Sequence, residues 1–187
     1  MEDGFFDFSF AKCYNLGIFL SKEAPMPFTI RPAVATDREQ LRPLQKEIAE
    51  LHHAGRPDLF RTEARYFTPE EFAQRLSEDK YVNLIAQDAS GQVIGYAFGW
   101  VLSYRNHSTY VDHDCLYVDD VCVLHACQRQ GVGQALLEAC RAEAQKRGCT
   151  SLELSVWCFN REAVAFYQHC GYAARTLRME CPLNQTR

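Results

Sequence analysis

A single-domain α/β fold, with a mixed central β-sheet flanked by helices, is what the sequence predicts, and three observations carry it. The first is an apolar run, Val121-Cys122-Val123-Leu124, joined by a short link to Gln128-Arg129-Gln130-Gly131-Val132-Gly133 and then directly to an amphipathic helix. The second is a pair of strand patterns, Tyr81 to Gln87 and Val93 to Leu102, on either side of the turn Asp88-Ala89-Ser90-Gly91, which is a hairpin signal. The third is size. A chain of 187 residues with 47% hydrophobic content suits one globular domain, because a chain of that length buries about 70% of its unfolded surface.

Residues 1 to 25 hold Phe5, Phe6, Phe8, Phe10, Tyr14, Ile18 and Phe19 but lack the basic start and small-residue cleavage site of a signal peptide. They are expected to form an N-terminal extension with no assigned role, ahead of a domain over 26–183 and a tail over 184–187. Phe28-Thr29-Ile30-Arg31 reads as a first strand. Thr36-Asp37-Arg38-Glu39 reads as a capping box that starts a helix to about His53, with Leu41, Leu44, Ile48 and Leu51 as its buried stripe. A turn-rich segment, His52 to Phe60, leads to Tyr66-Phe67. A second box, Thr68-Pro69-Glu70-Glu71, then opens a helix to about Glu78.

After the hairpin, a long strand is expected from Asp114 to Leu124 and a helix over 131–147. In that helix Val132, Ala135, Leu136, Ala139 and Cys140 share one face, while Gln134, Glu138, Arg141, Gln145 and Lys146 share the other. Lys146 and Arg147 suit the negative end of the helix dipole, and Gly148 supplies a left-handed cap. The next strand, Ser151 to Val156, should pair parallel with its predecessor. Asn160 begins a short helix with Ala163, Val164, Phe166 and Tyr167 inward, and Tyr172 to Cys181 reads as a closing strand. The sheet is thus expected to be antiparallel first and parallel at its centre.

Composition narrows the function classes. A net charge of −4 and a pI near 5.9 lack the basic stripe of a nucleic-acid surface. No apolar stretch approaches the length that crosses a membrane. Nine cysteines, an odd number with no Cys-x-x-Cys pair and several on apolar faces, fit reduced core thiols in a cytoplasmic protein better than a disulfide frame or a zinc site. His52 and His53 are adjacent and so do not share a helix face, and no Cys or carboxylate falls at ligand spacing, so no metal is expected.

The glycine loop points to a phosphate ligand. Gly131 and Gly133 carry no Cβ atoms that would keep a ligand from the unpaired first-turn N–H groups, and the helix dipole adds roughly half a positive charge there. A nucleoside-triphosphate loop would need Gly-Lys-Ser/Thr, which is absent. A dinucleotide fingerprint finds its acidic residue in Glu153, but Leu136 stands where its third glycine belongs. His125 to Gln130 also separate strand from glycine, where that turn is tight.

Gln128-Arg129-Gln130-Gly131-Val132-Gly133 matches the Arg/Gln-x-x-Gly-x-Gly/Ala loop of the GNAT N-acetyltransferases. Asn160, Ala163, Phe166-Tyr167 and Gly171-Tyr172 resemble their second signature, Asn-x-x-Ala-x-x-Phe-Tyr-x-x-x-Gly-Phe, in the same order and spacing. The resemblance spans about Phe28 to Pro182 and departs in the glutamine that opens the loop and in Tyr172. It implies a GNAT fold, acetyl-CoA as cosubstrate and an amine acceptor, small-molecule or peptide-borne. A homodimer is a frequent state in the family.

On that resemblance the N–H groups of Arg129, Gln130, Gly131, Val132, Gly133 and Gln134 hold the pyrophosphate. The main chain of Val121, Cys122 and Val123 runs beside the pantetheine, and Asn160 bonds the cofactor arm. Tyr167 matches the tyrosine that protonates the departing thiolate, a role open to a neutral phenol; the alternative is that it continues the apolar stripe of its helix. Asp119 and Asp120 are the carboxylates nearest the groove. Strand alternation sends them to opposite faces, and Asp119 aligns with the glutamate of spermidine/spermine-type acetyltransferases, so Asp119 is the expected base. Cys122 lies beside the cofactor strand, but no histidine is placed to make it a nucleophile. A GNAT-fold module that binds CoA without turnover is the other function class this sequence admits.

Overall fold

The computed structural model describes residues 27–62 and 67–183. The N-terminal extension, Tyr66 and the 184–187 tail lie outside the described residues. The elements run β1 (Phe28–Pro32), α1 (Arg38–Gly55), α2 (Pro69–Ser77), β2 (Tyr81–Asp88), β3 (Val93–Ser103), β4 (Asp114–Val123), α3 (Val132–Lys146), β5 (Ser151–Leu154) and α4 (Arg161–His169). The strands form one five-stranded sheet in sequence order. The first three pairings are antiparallel, and β4–β5 is parallel.

Alternation along the strands divides the core into two layers. Leu84, Ala86, Ile94, Ala97, Leu116 and Val118 face α3, where Val132, Leu136, Cys140 and Ala144 close over them. Ile85, Val93, Tyr96, Phe98 and Cys122 face the opposite way, against Leu41 and Leu44 of α1 and Phe72 of α2. Local chemistry sets the helix ends. Thr68 and Glu71 exchange the two bonds of a capping box at α2. Gly131 and Gly148 take positive φ on either side of α3.

Four expectations need correction. Thr36 does not cap α1. A 3₁₀ turn over Ala35–Asp37 precedes that helix, and the Asp37 carboxylate accepts from the Val34 N–H (2.8 Å) and pairs with Arg31 (2.7 Å). Leu51 is 42% exposed, while Ala49 is buried, because ten residues at 100° each bring Leu51 round about 80° from Leu41, to the margin of the stripe. Tyr172 to Cys181 is not a strand. Its alternating apolar residues have no face to bury, with Leu177 74% and Met179 83% exposed. What holds the segment is ionic: Arg175 to Glu153 and Arg56 to Glu180. Without that closing strand among the described residues, the parallel pair lies at the sheet edge rather than its centre.

The β3–β4 pairing is irregular at the level of the two aspartates. The β3–β4 register runs Tyr96↔Cys122, Ala97↔Val121, Phe98↔Asp120 and then Gly99↔Val118, which leaves Asp119 as an extra residue, a β-bulge. Gly99 makes it sterically allowed, since a Cβ there would lie 2.4 Å from the Tyr117 carbonyl oxygen. Gly99→Ala must therefore move backbone against backbone, at a cost of about 3 kcal/mol. The expected drop in Tm, read by thermal denaturation, is about 6–12 °C. An unchanged Tm would mean that the bulge yields freely.

Candidate functional site

The site begins where β4 and β5 part. Their ladder covers Cys115↔Ser151 to Val118↔Leu154 and ends there. From Asp119 to Val123, β4 therefore presents its outer edge without a strand neighbour among the described residues. The gap leads to the glycine loop, where Arg129 (φ 61°) and Gly131 (φ 85°) both take left-handed backbone. The Gln128 and Gln130 side chains fix the loop by donating to the Val123 and Ala126 carbonyls, at 3.1 and 3.4 Å. The first α3 bond is Ala135 N–H to Gly131 O, at 3.0 Å. Among the described residues, the six N–H groups from Arg129 to Gln134 find no acceptor within the chain. Six adjacent donors at a helix N-terminus suit a pyrophosphate.

The two glycines differ in what they do. A Cβ on Gly131 would meet no protein atom within 4 Å, so within the chain it is the left-handed backbone that calls for glycine here. A Cβ on Gly133 would stand 3.1 Å from Cζ of Phe166, so this glycine lets α3 approach α4. The open space beside the Gly131 Cβ direction leaves room for a ligand there, whereas the Gly133 Cβ direction is filled by Phe166.

Asn160 caps α4, accepting the Ala163 N–H at 3.1 Å. Its oxygen is thus occupied and its amide N–H donors are left for a ligand. Tyr167, seven residues on, packs edge-on against Tyr172 (5.8 Å) and beside Phe166 (5.3 Å). Burial, and after it the charge of Asp120, push the Tyr167 phenol up to about 12. It is therefore protonated at any physiological pH. The same ordering of causes, burial and then Asp120, raises the Cys122 thiol. That thiol is buried and donates to the Leu44 carbonyl at 3.4 Å, which leaves no thiolate for a relay.

The bulge overturns the alternation argument for the aspartates. The charges of both carboxylates also favour the charged form of one cation, Arg75 of α2, against its burial. Asp119 is exposed and Asp120 half-buried. Asp120 accepts a 2.6 Å hydrogen bond from the Tyr96 hydroxyl. Burial pushes the Asp120 carboxyl up to about 6, with the Tyr96 bond opposing, Asp119 adding to the rise and Arg75 opposing it. Burial also raises Asp119, and Arg75 draws it back.

Arg75, Asn83 and Tyr96 escaped the sequence reading. Arg75 is 8% exposed and donates to Asn83 Oδ1 at 2.6 Å. The rings of Tyr81, Phe67, Phe98 and Trp100 surround it at 4.6–5.9 Å. The available signals were Arg75 lying one turn beyond Phe72 on the buried face, and a lone glycine, Gly99, inside a strand pattern. At the C-terminal end of α1, His52 packs at a tilt against Phe60 (4.8 Å), and Phe60 meets Trp157 edge-on (5.3 Å). His53 Nδ1 lies 2.7 Å from the Phe60 carbonyl. Burial lowers the His52 pKa. Neither histidine belongs to a metal cluster; no group of three His, Cys, Asp or Glu able to hold a metal occurs among the described residues.

An α/β fold with an N–H-lined glycine loop beyond the end of the β4–β5 ladder is the setting of this site, and comparison with known proteins gives its class as acyltransferase. The sequence matches the Acetyltransferase (GNAT) family over residues 46–172, and the chain belongs to that family. It is 45% identical over 51 residues to the [Ribosomal protein bS18]-alanine N-acetyltransferase of Escherichia coli (strain K12). That stretch is 27% of this chain and spans about a third (34%) of the relative's length. The fold resembles the BH1408 protein of Bacillus halodurans, solved as a tetramutant, with TM-score 0.79, 25% identity, and 83% of this chain and 99% of that one covered. It also resembles an aminoglycoside N-acetyltransferase in complex with CoA, with TM-score 0.64, 18% identity, and 87% and 99% covered. No described helix is long and apolar enough to cross a membrane.

Proposed function

We propose that this protein is an acetyl-CoA-dependent N-acetyltransferase that passes the acetyl group directly to a primary amine of a small molecule or a peptide while both substrates are bound. The observation that supports this most is the run of free N–H donors from Arg129 to Gln134 beside the unpaired edge of β4. The CoA complex of one fold neighbour supports the same cosubstrate. The arrangement of residues fits it: main chain of Val121, Cys122 and Val123 along the arm, the Asn160 amide donating to it, and the loop N–H groups on the pyrophosphate.

When bound, acetyl-CoA supplies a thioester whose carbonyl carbon the amine attacks and whose thiolate departs. Tyr167 delivers a proton to that sulfur. Asp119, the exposed member of the pair, meets the incoming ammonium. The nitrogen gives up two protons in becoming an amide and the sulfur gains one, so each turnover releases one proton to solvent. Passing a proton from a lysine-like ammonium, pKa about 10.4, to an ordinary carboxylate is uphill by about 9 kcal/mol. A carboxyl at about 6, as for Asp120, narrows this to about 6 kcal/mol, and a peptide α-amine, pKa about 7.8, to about 2 kcal/mol. An N-terminal amine is therefore the easier acceptor to deprotonate here. The described cysteines are all free and several are buried, which supports a reducing compartment, and we place the protein in the cytoplasm.

CoASH release measured against polyamines, amino acids, aminoglycosides and N-terminal peptides tests the proposal. Turnover with at least one amine is expected. Tight acetyl-CoA binding with no release on any of them would favour a non-catalytic CoA-binding module.

A further inference from the structure

Two carboxylates stand on β4 just past the end of the β4–β5 ladder, and the bulge gives them different environments. Asp119 is exposed, and among the described residues no hydrogen bond orients it. Asp120 is half-buried and held at 2.6 Å by Tyr96, whose ring is wholly buried. A carboxylate anchored through one oxygen to a rigid phenol keeps the other oxygen in a constant place, which a proton acceptor needs. Resting on the acetyltransferase reading above, we propose that Asp120 is the group that takes the acceptor's proton, and that Tyr96 is the positioning residue that holds it there. Asp119 then draws the ammonium in without deprotonating it.

The proton then leaves Asp120 for solvent, which restores the group for the next turnover.

The groups facing Asp120 are Tyr96 from β3, Asp119 and Cys122 from β4, Arg75 from α2 and Tyr167 from α4. Each pushes in a definite direction. Tyr96 donates to the charged form and holds the Asp120 pKa down, so Tyr96→Phe should raise it by about one pH unit. Asp119 repels that charge, so Asp119→Asn should lower it. A residue that only packs would not produce shifts of opposite sign.

The test is carbon-13 NMR titration of the full chain with labelled Asp and Tyr, without ligand, in wild type, Y96F, D119N and D120N. Y96F keeps the buried ring and D119N alters an exposed side chain, so both should fold. Expected are an upward shift of Asp120 in Y96F, a downward one in D119N, and a lower Tyr167 midpoint in D120N. With an amine that the wild type acetylates, the acid limb of kcat/KM should track the Asp120 midpoint, falling about tenfold below it in Y96F. If Asp120 is unmoved in Y96F, or if D119N rather than D120N abolishes the acid limb, the assignment is overturned. If the wild type acetylates nothing, the activity reading falls while the titration still decides whether Tyr96 governs Asp120.

Discussion

Tyr167→Phe is expected to lower kcat by about a hundredfold or more while leaving acetyl-CoA affinity unchanged. The substitution deletes one hydroxyl and keeps the ring, so the contacts with Phe166 and Tyr172 persist and the fold with them. What disappears is the proposed proton source for the departing sulfur, and a lost general acid typically costs a factor of about 10²–10⁴. The phenol, pushed up to about 12, stays protonated through any practical assay range. Wild-type activity should therefore show no loss at high pH that traces to this group. Single-turnover kinetics would place the defect in the acyl-transfer step, and isothermal calorimetry would confirm intact cofactor binding. Normal turnover in the variant would make Tyr167 a packing residue and leave sulfur to be protonated by water.

Gly131→Val should abolish acetyl-CoA binding at usable concentrations. Gly131 sits at φ 85°, where a β-branched side chain is strained although nothing crowds its Cβ. The loop must turn back toward negative φ, which re-aims the N–H groups on either side of it. Losing two hydrogen bonds to a charged ligand, at about 1.5–3 kcal/mol each, weakens Kd by about 10²–10⁴. Thermal stability should fall little, because no core contact is involved. Gly133→Val is the informative contrast. Its Cβ would press on the Phe166 ring, so affinity and Tm should fall together. Unchanged calorimetric binding in Gly131→Val would remove the loop from the cofactor site.

The elements that the sequence made legible are those whose causes are local. The α3 stripe repeats within each turn, its cap is a glycine at left-handed φ, and the β2–β3 hairpin turns over four residues, with Asp88 accepting from Ser90 and Gln92. The Thr68 box lies within four residues of itself. At the N-terminus of α1 the same kind of pattern misled. Asp37 had a stronger partner in Arg31, which strand β1 presents from outside the box. Tyr172 to Cys181 misled for the converse reason: period-two alternation predicts a strand only when a neighbouring edge and a face are there to receive it.

For this protein, then, the sequence by itself determined the order of elements up to α4, the glycine loop and the family, because periodicity, glycine conformation and helix dipoles act over a few residues. Only the tertiary structure decided which carboxylate is held and which is free. That depends on the register of β3 against β4, where one extra residue at Asp119 breaks the alternation on which a sequence reading relies. It depends equally on contacts between distant segments: Tyr96 with Asp120, Arg75 with Asn83, and Gly133 with Phe166. Each joins residues that share no local pattern, and their free energy is gained only after the sheet has closed and brought them together.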